Sequence, residues 1–189
     1  MGKIKYLKEV EELFGKSPVV MTRDIKLVVR GGYAYLLLNK LLKQGKIKRL
    51  VRGFYTTYEE PTLAVFCFRP AYIGLQDALS IHGLWEQETV PIILSAAKVR
   101  SGLRVILGNN VIIRKLKKKY VFGYEFLKVG DFYIPVSDIE KTFIDLIYFK
   151  EVPDRKILKE IVRKMNREKL KRYLKSYPRR FQKKCVGYL

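Results

Sequence analysis

The chain has 189 residues, 48% of them hydrophobic, and carries 39 Lys+Arg against 18 Asp+Glu for a formal net charge of +21. This composition excludes the low-hydrophobicity signature of disorder, and the length suits one ordinary domain or two small ones. Such an excess of positive charge makes a polyanion the expected partner, nucleic acid ahead of a membrane surface.

The N-terminus, MGKIKYLKEVEEL, turns charged before an apolar h-region forms, and Tyr6 stands where myristoylation needs Ser or Thr. Neither a signal peptide nor a lipid anchor is expected. From Lys3 to Phe14, Leu7, Val10 and Phe14 fall on one helical face, with Gly15 as the stop. Thr22 reads as the N-cap of a second helix carrying Ile25, Val28 and Val29, and Gly31-Gly32 breaks it. A third helix is expected from Tyr33 to Gln44, closed by Gly45. Its stripe of Ala34, Leu37, Leu38, Leu41 and Leu42 faces a core, while Leu36, Asn39, Lys40 and Lys43 point away, flanked by Tyr33 and Tyr35.

After Gly45, the segments either side of Arg52-Gly53 read as a short basic hairpin over 47–57. Three short helices followed by a basic hairpin predict a winged helix-turn-helix, with the third helix in a DNA major groove. Asn39 suits adenine, Lys40 and Lys43 suit guanine or phosphate, and Leu36 suits a thymine methyl. Arg49 and Arg52 suit minor-groove or phosphate contact, and Thr22, Arg23, Tyr33, Tyr35 and Lys48 complete the candidate DNA-binding set. The competing possibility is a lysine-solvated helix on a protein-docking module, since fold alone does not prove DNA binding.

Residues 62–68 read as a short apolar helix closed by Arg69-Pro70. A second helix, with Leu75, Ala78, Leu79 and His82 at helical spacing, ends at Gly83. Strands are expected at Thr89–Ser95, Leu103–Ile106, Val111–Arg114, Tyr124–Val129 and Phe132–Val136. Ser137-Asp-Ile-Glu140 then reads as a capping box for a helix with Ile139, Phe143, Leu146 and Ile147 inward. The lysine run 115–119 reads as a solvated loop or hairpin tip. The expected fold is therefore α+β: a winged helix-turn-helix over 1–60, a small mixed α/β domain over 61–150 and a basic helical extension over 151–189.

These pieces together resemble the AbiEi-type antitoxins of type IV toxin–antitoxin systems. The likeness rests on Ile47-Lys-Arg-Leu-Val-Arg-Gly-Phe-Tyr55, Ala78-Leu-Ser-Ile-His-Gly-Leu84 with Pro91 before a strand, Phe122-Gly-Tyr124, and Val136-Ser-Asp-Ile-Glu-Lys-Thr-Phe-Ile-Asp-Leu146. It covers about residues 10–150. The resemblance implies a winged-helix regulator that represses its own operon and antagonises a nucleotidyltransferase toxin, with that toxin or its RNA target as a candidate partner. Two departures stand out: relatives often carry a Ser-His pair within the stretch read here as Tyr72-Ile-Gly-Leu-Gln-Asp77, and they often continue past Leu189.

The sequence offers little to an enzyme. Two distant cysteines, Cys67 and Cys185, and a single His82 exclude a zinc cluster or a disulfide framework and point to the cytoplasm. No Walker loop, dinucleotide fingerprint or zincin motif occurs, so no cofactor, metal or catalysis is expected. The sharpest rival is a metal-dependent nuclease built on Asp138 and Asp154-Arg-Lys156, although both acids have simpler places at helix starts. No apolar run approaches the ~20 residues of a membrane span. The low Asn and Gln content beside so much Lys leans towards a thermophilic source.

Residues 151–189 hold 14 basic and 4 acidic side chains, the densest charge in the chain. Ile157, Leu158, Ile161 and Val162 face inward on one expected helix, and Leu170, Tyr173 and Leu174 on a second, capped by Asn166. Lys169, Lys171, Arg172 and Lys175, with Arg179 and Arg180 beyond, form a candidate auxiliary phosphate-contacting surface. RNA or ribonucleoprotein binding through this tail stays open as the alternative to DNA recognition.

Overall fold

In the computed structural model, which describes residues 6–29 and 32–189, the Leu7–Val10–Phe14 face folds as α1 (Leu7–Lys16), with Val10 and Phe14 buried. Gly15 does not stop this helix; the Ser17 amide, donating to the Leu13 carbonyl at 3.1 Å, marks its end one residue later. Lys3 to Lys5 and Gly31, part of the expected first helix and the expected helix break, lie outside the described residues. Then follow β1 (Val20–Met21), α2 (Thr22–Val28), α3 (Tyr33–Lys43), β2 (Lys48–Val51) and β3 (Phe54–Thr56).

The sequence pattern predicts no strand at Val20–Met21. Two residues are too few for a period-2 signal, and β1 exists because β3 pairs with it, Val20 opposite Tyr55 and Met21 opposite Phe54. The result is a three-stranded antiparallel sheet in the order β1-β3-β2. Gly45, with φ +66, gives α3 the left-handed exit expected of it. Ile25, Ala34, Leu37, Leu38 and Leu41 are all at most 2% exposed and form one apolar cluster with Val10, Phe14, Ile47 and Tyr55. At roughly 1.5–3 kcal/mol for each large side chain, this cluster is what holds three short helices in place.

The short apolar helix expected at 62–68 is present as a 3-10 helix, Pro61–Phe68. Next come β4 (Ala71–Ile73), α4 (Leu75–Ile81), β5 (Ile92–Ser95), β6 (Gly102–Ile106), β7 (Asn109–Lys115), β8 (Tyr124–Val129) and β9 (Phe132–Ser137). They form a six-stranded mixed sheet in the order β6-β7-β5-β4-β9-β8. The β4 strand was missed because Ala-Tyr-Ile is short and wholly buried, so it shows no alternation. Gly74 follows it where a Cβ would lie 2.7 Å from Leu94 Cδ1, so only glycine fits without moving the β5 side chain.

Four helices complete the chain: α5 (Ile139–Phe149), α6 (Arg155–Lys164), α7 (Arg167–Leu174) and α8 (Arg179–Val186). Tyr72, Ile92 and Leu94 of the sheet share one core with Phe143, Leu146 and Ile147 of α5, Ile161 of α6, Leu170 and Leu174 of α7 and Cys185 of α8. The basic tail is thus part of this core. The architecture is mixed α+β in two compact units, one running up to Cys67 with Val105–Asn109, the other comprising Phe68–Arg104 and Asn110–Leu189. Among the described residues, no helix is long and apolar enough to cross a membrane.

Candidate nucleic-acid interface

Because Ala34, Leu37, Leu38 and Leu41 are consumed by the core, the 100° turn per residue projects the other side of α3 outward. Tyr35 is 54% and Leu36 65% exposed, and Asn39, Lys40 and Lys43 are exposed beside them. Neither lysine has a carboxylate within ion-pair distance among the described residues. Tyr33 differs: it is half-buried, packs against the first unit's core, and its ring lies 6.1 Å from that of Tyr6. Its role is packing of the α3 start.

Lys26 and Leu27 of α2 lie outside the candidate set expected from the sequence. Lys26 Nζ sits 4.5 Å from the Tyr35 ring centroid, which joins the two helices through a cation–π contact. Leu27 is 85% exposed. Its helical phase, opposite Ile25 and Val29, already marked it as outward.

Thr22 is not the N-cap. It is the first residue of α2, and Asp24 instead accepts the Met21 amide at 3.0 Å. The Thr22 amide donates to the Gly53 carbonyl at 2.9 Å, and its hydroxyl donates to the same oxygen at 3.4 Å. Thr22 therefore ties the tip of the β2–β3 hairpin to the start of α2. Gly53, at φ +85, supplies the turn that makes this carbonyl available. Arg23 is exposed and lies 3.5 Å from its neighbour Asp24.

On the hairpin, Arg49 and Arg52 are exposed and no carboxylate pairs with either among the described residues. The Arg49 guanidinium stands 5.8 Å from the Tyr55 ring centroid. Lys48 is engaged in an ion pair with Glu59, whose carboxyl this hydrogen bond and charge hold below its ordinary range. It is thereby less available to a phosphate than the sequence reading allowed.

The second cationic region is divided in the same way. Lys169, expected outward, is half-buried and bridges Asp138 at 3.0 Å and Glu140 at 3.3 Å. Burial opposes its charge, yet the Asp138 hydrogen bond and the two carboxylates together keep its ammonium above the ordinary lysine range. Tyr173 donates to Asp138 at 2.7 Å, and burial followed by that bond pushes its hydroxyl up to about 12. Lys171 pairs with Glu168 at 2.9 Å. Arg172, Lys175, Arg179 and Arg180 remain exposed, with no ion pair among the described residues.

Asp138 is the N-cap of α5, accepting from the Lys141 amide at 2.8 Å. The expected capping box does not form: Ser137 belongs to β9, the cap moves to Asp138, and Glu140 reaches across to accept from the Asn166 amide at 2.6 Å. Asp154 caps α6 through the Ile157 amide at 3.0 Å. Both acids of the nuclease alternative thus have structural partners. His82, at the end of α4, contacts the Ser137 carbonyl through Nε2 at 2.7 Å. Among the described residues no group of His, Cys, Asp and Glu is arranged to hold a metal ion.

A buried polar centre escaped the sequence reading. Lys141 and Asp145, one helical turn apart on α5 and both 0% exposed, form an ion pair, and Tyr72 donates to Asp145 at 2.6 Å. Burial pulls the Lys141 ammonium down and pushes the Asp145 carboxyl up, and each partner opposes that effect on the other. The i,i+4 spacing was legible; the complete burial was not.

Fold and site together define a two-unit mixed α+β protein that presents unpaired cations on a short helix and an adjoining hairpin. No family model matches the chain, and no curated protein matches it. Among solved structures, it is similar to the crystal structure of the Rv2827c protein of Mycobacterium tuberculosis, with a TM-score of 0.65 and 14% identity over 97% of this chain and 75% of that one. At that identity the likeness is one of fold.

Proposed function

We propose that the protein is a sequence-specific double-stranded-DNA-binding transcriptional regulator whose first unit works as a winged helix-turn-helix. The observation that carries this reading is the outer side of α3, where Tyr35, Leu36, Asn39, Lys40 and Lys43 stand exposed beside an arginine hairpin. That surface combines groups for base edges with cations for phosphates, which are the two kinds of contact specific recognition needs. The helix–strand–helix–helix–strand–strand order, with Thr22 holding the hairpin tip, supports a wing that moves with α2.

In this reading α3 enters the major groove, Arg49 and Arg52 grip backbone or minor groove, and the second unit has no catalytic role. The motif resemblance extends the proposal to an autorepressing antitoxin of the cytoplasm, which binds the operator of its own operon and counters a nucleotidyltransferase toxin. The test is binding of full-length protein to a selected operator and to random duplex. Asn39→Ala is expected to cost about 1–3 kcal/mol on the operator and to relax preference at one base pair. Equal losses on both duplexes would sink the α3 assignment.

A second reading, RNA binding through the tail, draws on Arg172, Lys175, Arg179 and Arg180, which are exposed and unpaired among the described residues. Competition between duplex DNA and structured RNA separates the two. RNA prevailing, with binding lost in an Arg172→Ala, Lys175→Ala, Arg179→Ala, Arg180→Ala variant, would favour the tail.

A further inference from the structure

β8 closes one side of the six-stranded sheet and pairs antiparallel with β9 in unbroken register, from Tyr124 opposite Ser137 to Val129 opposite Phe132. The Asp138 amide donates to the Gly123 carbonyl at 2.9 Å, which identifies that opposed pair as hydrogen-bonded. Antiparallel ladders alternate, so Glu125, Leu127 and Val129 bond to β9, while the N–H and C=O groups of Tyr124, Phe126 and Lys128 point to the open side. These same three residues share one sheet face. Tyr124 is 39% and Phe126 58% exposed, with Lys128 exposed next to them.

Open edges are ordinarily blunted by charged side chains, proline, a bulge or a covering element, and of these β8 carries the charges Glu125 and Lys128. β8 has no bulge against β9, and the proline of the hairpin, Pro135, lies on β9. We propose that β8 is a self-association edge, pairing antiparallel with β8 of a second copy of this chain about a two-fold axis at Phe126.

The register follows from charge and backbone. A two-fold perpendicular to the sheet keeps each face on its own side, so a residue of the strand must sit on the axis. Centring on Glu125 or Lys128 sets like charges against each other. Centring on Leu127 leaves the outward groups of Tyr124 opposite the turn at Gly130. Centring on Phe126 gives every outward N–H and C=O of Tyr124, Phe126 and Lys128 a partner. It also stacks Phe126 on its symmetry mate and sets Lys128 against the mate's Tyr124 ring, a cation–π pair formed twice.

One strand supplies both the aromatic and the cationic half of each contact, and this is why a second copy is the fitting occupant. A short strand pair buries less than the ~1,200 Å² of a standard interface, and two chains of charge +21 repel each other. The dimer is therefore weak, and it strengthens as salt screens that repulsion.

Sedimentation velocity on the full chain without DNA tests this, at about 1 to 100 μM protein and at low and high salt. We expect a concentration-dependent dimer, favoured by high salt. Phe126→Pro removes an outward donor that the chain's own sheet does not use, so it should weaken association at least about tenfold with the melting temperature preserved. Phe126→Lys places two ammonium groups at the axis and should do the same without altering the backbone; if the proline variant melts early, the lysine variant decides. A monomer throughout the range, or a dimer undiminished in Phe126→Lys, would overturn the proposal. With DNA absent, the outcome is independent of the DNA-binding reading.

Discussion

The two units divide their cations differently: the first leaves most of its site cations unpaired, while the second buries or bridges several and leaves Arg172, Lys175, Arg179 and Arg180 exposed. On the first, Lys40, Lys43, Arg49 and Arg52 stand in solvent with no carboxylate partner among the described residues, and only Lys48 and Arg23 are drawn into pairs at the site. On the second, Lys141 is sealed against Asp145, Lys169 bridges Asp138 and Glu140, and Arg114 pairs with Glu151. Net charge therefore says little about where a polyanion would bind. Pairing and exposure, residue by residue, separate cations held for a partner from cations that hold the fold.

The strongest challenge to this contrast is at the buried pair. Asp145→Ala leaves the Lys141 ammonium and the Tyr72 hydroxyl unpaired in the core and should cost about 3–5 kcal/mol, whereas Lys141→Met with Asp145→Leu and Tyr72→Phe should be close to neutral. Denaturant midpoints for the two variants decide the matter. A mild single variant would mean that Lys141 reaches water.

Alkaline stability is the next lever, acting on the α5–α7 bridge. Folded Tyr173 holds its proton up to about 12, above the usual value of 10.0, and Lys169 is likewise raised. A group whose folded pKa is raised stabilises fully below its unfolded pKa and loses that contribution as pH climbs through the folded one. Thermal stability should thus be flat through neutral pH and fall between pH 10 and 12. Tyr173→Phe should flatten that fall, and an unchanged profile would remove Tyr173 from the bridge.

On the first unit the expected effects are smaller and lie in binding. Arg52→Ala should weaken binding to all duplexes and reduce the slope of log affinity against log salt by about one if it meets one phosphate. Lys48→Ala, at the other extreme, should change affinity by less than about 0.5 kcal/mol, because Glu59 already holds that ammonium. A loss equal to that of Arg52→Ala would show that DNA displaces Glu59 and would erase the distinction between paired and unpaired cations on the hairpin.

The structure also adds a third kind of lysine. Lys128 is not buried in a pair; it stands exposed on the edge strand β8, opposite Tyr133 of β9. In the proposed β8–β8 pairing it supplies the cationic half of the contact with the mate's Tyr124.

Much of the architecture was legible because it rests on local periodicity. The α3 stripe, its Gly45 exit, the Arg52-Gly53 turn and the β8–β9 hairpin all follow from spacings within a dozen residues, where helix and strand periods are distinct. The Asp154 and Asn166 caps were readable for the same reason. Outward residues of α3 could be named from phase alone, since the inward ones account for the core.

Tertiary structure alone decided the rest. β1 and β4 exist through partners distant in sequence, and short buried strands carry no pattern of their own. Thr22 looked like a cap until the Gly53 carbonyl, 31 positions away, claimed its hydroxyl. Lys169 looked solvent-facing until α7 packed against the start of α5 and set two carboxylates beside it. A sequence determines which side chains carry charge and which face of a helix they occupy. Whether such a charge faces water or another charge depends on long-range packing, and the fall of electrostatic energy with distance makes that the deciding difference.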